Sequence, residues 1–169
     1  MKYFLPLLLT LCSPIFIFCQ DITGLWQGTL YNDSTSQYLD YEIVISKESK
    51  TYSAFSLTWF LVDGKKYYGI KKLDVRIAKD GKILLIDEKL IQENYPVEYA
   101  QHIQQLNVLD IKTQGSETWL EGPFVTKRTK KYKELTGRIN IKRVNLLSKS
   151  DLMQYLQTNN YANLISLLF

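Results

Sequence analysis

Residues 51–78 read TYSAFSLTWFLVDGKKYYGIKKLDVRIA, two β-branched and aromatic runs separated by the dipeptide Asp63-Gly64. Polar and apolar side chains alternate in both runs, as is typical of half-buried strands. Asp-Gly between such runs is a strong hairpin signal, because glycine accepts the positive φ that tight hairpin turns require. The stretch therefore predicts a β-hairpin.

The same pattern extends from residue 24 to residue 144, where no segment of helical length has a period of 3.6 residues. About eight strands are predicted on this criterion, at residues 24–31, 41–46, 51–61, 67–78, 82–92, 104–112, 117–124 and 135–144. Asp80-Gly81 is a second strong hairpin signal, and Gly115-Ser116 is a weaker one. The connections are too short for parallel crossovers, so we predict an all-β, antiparallel, up-and-down sheet.

Closure of this sheet into a barrel removes its edge strands and leaves an interior of side-chain or single-ligand width. A sandwich of the same strands is the alternative. In the third strand, alternation puts Phe55, Leu57, Trp59 and Leu61 on the more apolar face, which is predicted to face the core. If the interior is incompletely filled, we expect Phe55 and Trp59, with Tyr41 and Ile43, to line a ligand cavity.

The first nineteen residues have the layout of a secretory signal peptide: Lys2, then an apolar stretch over residues 3–18, then polar sequence from Gln20. Export to the periplasm or the medium is therefore expected. An alternative is an outer-membrane lipoprotein acylated at Cys19, although the large Phe18 before it disfavours lipid modification. Cys12 and Cys19 both lie in this segment, so a thiol nucleophile, disulfide or zinc-thiolate site is not expected in the rest of the chain.

The character of the sequence changes after the last predicted strand. Ser148 or Ser150 can cap a helix, and Leu152, Tyr155 and Leu156 follow at helical spacing. We divide the chain into a signal peptide (1–19), a barrel domain (20–146) and a short C-terminal helical tail (147–169). The tail ends in apolar residues, so it is expected to pack across the barrel wall or one open end.

The segment Gly24-Leu25-Trp26, at the start of the first predicted strand, resembles the first-strand signature of the lipocalin and avidin-like calycin barrels. In that superfamily the tryptophan closes one end of the barrel and a basic residue of the last strand packs over its ring. The resemblance implies structural closure by Gly24, Trp26 and Arg143. Strand parity puts Arg143 on the same face as Ile139 and Ile141.

A second resemblance lies near the end of the chain. Trp119-Leu120-Glu121-Gly122, followed by residues 135–143 (LTGRINIKR), is similar to the ending of small exported β domains of uncharacterised function in Bacteroidetes-type bacteria. This resemblance implies a fold and a compartment, and it names no activity.

Familiar catalytic groupings are not recognisable. His102 is the only histidine, and its neighbours have no metal-ligand spacing. Asp87 and Glu88 are adjacent, so on a strand they point to opposite faces and cannot act together as a glycosidase pair. They are predicted to be solvated surface carboxylates. The sequence indicates a protein that is not an enzyme and has neither cofactor nor metal.

The formal net charge of +4 is small and spread along the chain, which does not indicate nucleic-acid binding. The densest basic run is KRTKKYK at residues 127–133, predicted to be a solvated hairpin tip; an anion-binding surface is the alternative. The leading hypothesis is a carrier of a small apolar or amphipathic ligand. The alternative is an envelope interaction module that meets a protein or membrane partner through its outer surface and tail.

Overall fold

The computed structural model describes residues 21–96, 103–130, 132–145, 149–159, 161, 166 and 168. Its strands and its helix are β1 (Gly24–Asn32), β2 (Gln37–Glu48), β3 (Thr51–Val62), β4 (Lys65–Ile77), β5 (Ile83–Glu93), β6 (Gln105–Gln114), β7 (Glu117–Thr126), β8 (Thr136–Val144) and α1 (Asp151–Thr158). Each strand pairs with its neighbours in the chain, and β8 pairs antiparallel with β1. The predicted eight-stranded up-and-down barrel with a short C-terminal helix is confirmed, and it is consistent with a calycin-like fold.

The predicted hairpin between β3 and β4 is also confirmed. Asp63 and Gly64 have φ values of 49° and 74°. Positive φ at both central residues is the geometry of the type I′ turn, whose twist matches that of the flanking strands.

The barrel has two unlike ends. The turns β2–β3, β4–β5 and β6–β7 lie at one end, called here the closed end. The connections β1–β2, β3–β4, β5–β6 and β7–β8 lie at the other, called the mouth. Each strand therefore carries side chains from one end to the other, and their burial differs along its length.

Inward-facing apolar side chains from all eight strands form the main core, which includes Trp26, Tyr41, Ile43, Leu85 and Ile141. Two interior-facing glycines let the wall bend sharply. A Cβ on Gly28 would overlap the backbone oxygen of Asn140, and one on Gly122 would overlap that of Val108. Adjacent backbones approach this closely only because these positions lack a side chain.

A second apolar cluster lies outside the barrel, where α1 packs on β2 and β3. Ser150 caps the helix by accepting a 3.0 Å hydrogen bond from the Met153 N–H. Glu42 of β2 binds the N-terminal end of α1, because its carboxylate accepts hydrogen bonds from the Ser150 hydroxyl and the Leu152 N–H. Leu152 and Leu156 are buried beneath the helix.

Phe55, Leu57 and Trp59 belong to this outer cluster, so the prediction that Phe55 and Trp59 line the interior is wrong. The residues of β3 that face the interior are Ala54 and Ser56. The more apolar face of β3 points outward because a helix covers it there, and the interior face is small because large side chains from other strands fill the barrel.

Several predictions fall on residues outside the described ranges. These are the signal peptide at residues 1–19, the histidine at position 102, the capping alternative Ser148 and most of the tail beyond Asn159. No helix among the described residues is long and apolar enough to span a membrane.

Candidate binding site

The closed end is sealed by Trp26 and Arg143, which are register partners on β1 and β8. The guanidinium carbon of Arg143 lies 4.8 Å from the centroid of the Trp26 ring, a cation–π distance. The indole N–H of Trp26, which is fully buried, donates to the carbonyl of Ile22 at 3.1 Å. Arg143 also donates to the Asp21 carbonyl and packs its stem beside Gly24. Access to the interior must therefore come from the mouth.

Toward the mouth, the apolar core gives way to buried and half-buried polar side chains, which we call the polar floor: Tyr41, Lys71, Asp87, Gln105 and Asn107. Lys71 forms an ion pair with Asp87, whose carboxylate also accepts the Gln105 N–H at 3.0 Å. The Gln105 amide donates to Asn107 at 2.6 Å, and the Asn107 amide lies 3.4 Å from the Tyr41 hydroxyl. Hydrogen bonds thus connect the floor from β2 to β4, β5 and β6.

The polar floor lies where the hydrogen-bonded pairing of β5 with β6 ends. Residues 83–86 pair with residues 106–109, and the ladder then stops. Beyond that point Asp87 accepts the Gln105 N–H, and Lys71 reaches the Ile103 carbonyl at 3.4 Å. Side chains replace the missing strand-to-strand bonds at this seam.

Asp87 is buried, which corrects the prediction that it is a solvated carboxylate. Its side chain faces inward with Leu85, whereas Glu88 is exposed and pairs with Lys72 at 2.9 Å. Burial raises the pKa of the Asp87 carboxyl above its ordinary value, and the Lys71 charge offsets part of that rise. Burial, with the Asp87 charge, also raises the pKa of the Tyr41 hydroxyl, so this phenol is a neutral hydrogen-bonding group.

Above the polar floor, the interior is occupied by a loop side chain rather than by a strand residue. Tyr95 follows β5 and turns back so that its hydroxyl lies directly over the bare Cα of Gly69, where a Cβ would overlap it. Glu93 pairs with Gly69 in the sheet, and its Oε2 is buried with no hydrogen-bond donor among the described residues. Burial raises the pKa of the Tyr95 hydroxyl, as do the charges of Glu93 and Asp87.

Aromatic rings form the wall beside Tyr95. Phe60 stacks on Tyr67 with ring centroids 6.0 Å apart and meets the Tyr95 ring at 5.0 Å. All three side chains are half-buried, unlike the fully buried Trp26 ring at the closed end. The mouth therefore combines an apolar wall, buried carboxylate oxygens and the side chain of a loop residue.

The pairing of β5 with β4 is irregular toward the mouth. Two register shifts interrupt its pairing with β4, between Ile70 and Lys71 and between Lys72 and Leu73. Bulges of this kind bend and twist a strand and are common at barrel rims near binding sites.

The structure places the four predicted ligand residues in different parts of the molecule. Tyr41 lies in the polar floor, and Ile43 lies below it, paired with Trp26 near the closed end. Phe55 and Trp59 lie outside. Sequence reasoning missed Gly69, Lys71 and Tyr95. A glycine within the fourth predicted strand was the one available signal for a close approach at that position.

Two grooves lie on the outer surface. One, of about 270 Å³, runs between α1 and the β3–β4 wall, with Trp59, Tyr68 and Tyr155 among its lining residues. The other, of about 330 Å³, lies on the outer face of β6–β8, with Leu106, Val125 and Arg138. The first groove is formed by outward-facing side chains, whereas the second reaches the mouth end of the barrel, where Asp33 and Thr136 line it.

The polar side chains of the described residues include no group of three or more His, Cys, Asp or Glu placed to hold a metal ion. No protein-family model, curated protein or solved structure matches the chain. The assignment of the fold therefore rests on the topology of the barrel itself.

Proposed function

We propose that this chain is a non-enzymatic binding protein that takes a small amphipathic molecule into the mouth of its barrel. It would be an exported calycin of the lipocalin or avidin-like type, related to small exported domains of Bacteroidetes-type bacteria. The observation that carries the ligand site is Tyr95 lying on Gly69. A strand position without a side chain leaves a space in the interior, and a movable loop residue fills it.

The chemistry of the mouth indicates what the ligand contains. Glu93 Oε2 is buried without a donor among the described residues, and such a group gains most from a ligand that supplies an N–H or O–H. Phe60 and Tyr67 offer an apolar wall on the same level. A molecule with an amine or hydroxyl head and an apolar body satisfies both when it replaces the Tyr95 ring.

Binding rather than catalysis is supported by the state of the polar floor. The Tyr41 phenol is kept neutral, and the Asp87 carboxylate is engaged by Lys71 and by a backbone N–H. These groups are arranged to satisfy one another. They leave the floor suited to hydrogen bonding and poorly suited to proton abstraction or nucleophilic attack.

A fluorescence titration with N-phenyl-1-naphthylamine, a small aromatic amine, tests the site. We expect the wild-type protein to enhance the probe's emission and Gly69→Leu to abolish the enhancement, because the added side chain fills the space beneath Tyr95. Trp59→Ala is the matched control in the outer groove and should retain it. Loss in Trp59→Ala with retention in Gly69→Leu would place binding in the outer groove and contradict the proposal.

The outer groove favours a second candidate function, an envelope interaction module. Trp59 and Tyr68 lie with ring centroids 5.1 Å apart in its wall, and Tyr155 of α1 faces them. Aromatic residues in a partly desolvated groove are frequent anchors of protein partners. Pull-down from envelope extract that depends on Trp59 and Tyr155, but not on Gly69, would support this function over the carrier.

A further inference from the structure

Exposed apolar side chains are concentrated at the mouth. Among the described residues four large hydrophobic side chains are strongly exposed, namely Tyr38 (73%), Leu61 (57%), Ile77 (43%) and Val125 (39%). Tyr38, Leu61 and Val125 lie toward the mouth, and only Ile77 lies toward the closed end. Exposure of this kind at one end of a barrel indicates a surface that meets something apolar.

The β3–β4 hairpin carries Leu61 beyond the barrel wall. Pairing between β2 and β3 ends at Tyr41 and Thr58, whereas β3 and β4 remain paired as far as Val62 and Lys65. The tip therefore projects without a neighbour on the β2 side. Lys65 and Lys66 follow the turn, and both are exposed.

The basic loop, residues 127–133, faces this hairpin across the mouth. It is an ordered loop: the Lys127 N–H donates to the Gln104 carbonyl at 2.8 Å, and the Thr129 N–H donates to the Tyr132 carbonyl at 3.0 Å. Lys127, Arg128, Lys130 and Lys133 are exposed, and Lys131 lies outside the described residues. Backbone hydrogen bonds thus anchor the described part of the loop at the rim.

Most of these charges have no acidic partner. Lys66 lies 3.8 Å from Asp40, and Arg128 lies 4.0 Å from Glu134. No carboxylate of a described residue is within ion-pair distance of the side chains that remain, which are Lys65, Lys127, Lys130 and Lys133. Asp33 and Asp63 are exposed carboxylates of the described residues at this end, and neither is within ion-pair distance of these lysines.

We propose that the mouth of the barrel docks on an anionic lipid bilayer. Leu61 enters the headgroup region, and the lysines of the basic loop contact lipid phosphates. Basic side chains gain from the negative surface potential, and apolar tips gain from leaving water at the same interface. A nucleic acid would use the charges but would leave Leu61 and Val125 exposed, so lipid is the partner that the whole surface fits.

This surface is independent of the ligand proposed above, although it would place the mouth where an amphipathic molecule is found. The two proposals fail separately. Gly69→Leu should lose the fluorescent amine and still bind vesicles, because its side chain lies inside the barrel.

Co-sedimentation with phosphatidylcholine vesicles, with and without phosphatidylglycerol, tests the docking surface. We compare the wild type with Lys127→Gln/Lys130→Gln/Lys133→Gln and with a matched control at the closed end, Lys47→Gln/Lys50→Gln/Lys79→Gln. Each lysine near a charged membrane contributes about fivefold in affinity, so the rim variant should bind the anionic vesicles about a hundredfold more weakly. The control should change far less, and Leu61→Ser should weaken binding at high salt.

Three results would overturn the proposal. One is the absence of wild-type binding to anionic vesicles. Another is an equal loss in the two lysine variants, which would indicate attraction by net charge alone. The third is binding to heparin or single-stranded DNA that depends on the rim lysines, together with no binding to vesicles. That result would assign the basic loop to a different polyanion.

Discussion

The two ends of the barrel are closed in different ways. At the closed end Trp26 is fully buried, its N–H has a partner and Arg143 covers its ring. At the mouth the ladder between β5 and β6 stops, polar side chains bridge the gap and a loop tyrosine fills the interior. The closed end is thus sealed by side chains of paired strands, whereas the mouth is filled in part by the side chain of a loop residue.

The largest expected effect comes from the closed end. Trp26→Ala should lower the free energy of unfolding by about 4 kcal/mol, because it removes a fully buried indole and leaves a cavity. Trp119→Ala is the control, since Trp119 is half-buried on the outer face of β7. Its cost should be about 1 kcal/mol. Urea denaturation measures both, and similar costs would contradict a sealing role for the buried Trp26 side chain.

Alanine substitution at Gly28 and at Gly69 compares the barrel wall with the mouth. Gly28→Ala should cost about 3 kcal/mol, because the new methyl group meets the Asn140 backbone, which cannot move away. Gly69→Ala meets only the end of the Tyr95 side chain, so its cost should stay below about 1 kcal/mol. The Gly69 cost should disappear in a Tyr95→Ala background. Equal costs at the two glycines would show that Tyr95 is fixed in place.

The ion pair of the polar floor should behave as a buried pair. Lys71→Met should destabilise the protein at neutral pH by about 2 kcal/mol, because it leaves the buried Asp87 carboxylate without its counter-charge. The double variant Lys71→Met/Asp87→Leu should recover most of that loss, since it removes both charges. Thermal unfolding of the single and double variants measures the effect. A double variant less stable than Lys71→Met would mean that the pair itself stabilises the fold.

The smallest effect is a dependence on pH. The pKa of Asp87 is raised in the folded state, so the native protein holds this proton more tightly than the unfolded chain. The stability that Asp87 contributes is therefore present at low pH and falls as the pH rises from the unfolded pKa through the folded one. Relative to Asp87→Asn, the wild type should lose stability across that acidic window. The opposite slope would show that Lys71 outweighs burial.

The sequence predicted the parts of the fold that depend on local rules. Asp63-Gly64 predicted the β3–β4 turn, and alternation placed Arg143 on the inward face that also carries Ile139 and Ile141. The wrong face of β3 has a physical cause. Alternation identifies which side chains share a face, and it cannot say whether the more apolar face meets the core or an external helix such as α1.

The candidate site could not be predicted from local sequence rules. Asp87 lies where the β5–β6 ladder stops, and its ion-pair partner Lys71 comes from β4, so its environment depends on three elements at once. Tyr95 enters the barrel from a loop, and Glu93 faces inward only after two register shifts in β5. Contacts of this kind are set by tertiary packing and leave little trace in one sequence.

The central claim is that the mouth carries a ligand and the closed end does not. Native mass spectrometry of the protein purified from the cells that make it, beside the Gly69→Leu variant purified in the same way, tests this directly. We expect the wild type to carry an additional mass of a few hundred daltons. This mass should be lost on denaturing extraction, and it should be missing from Gly69→Leu. The same additional mass on both proteins, or on neither, would contradict it.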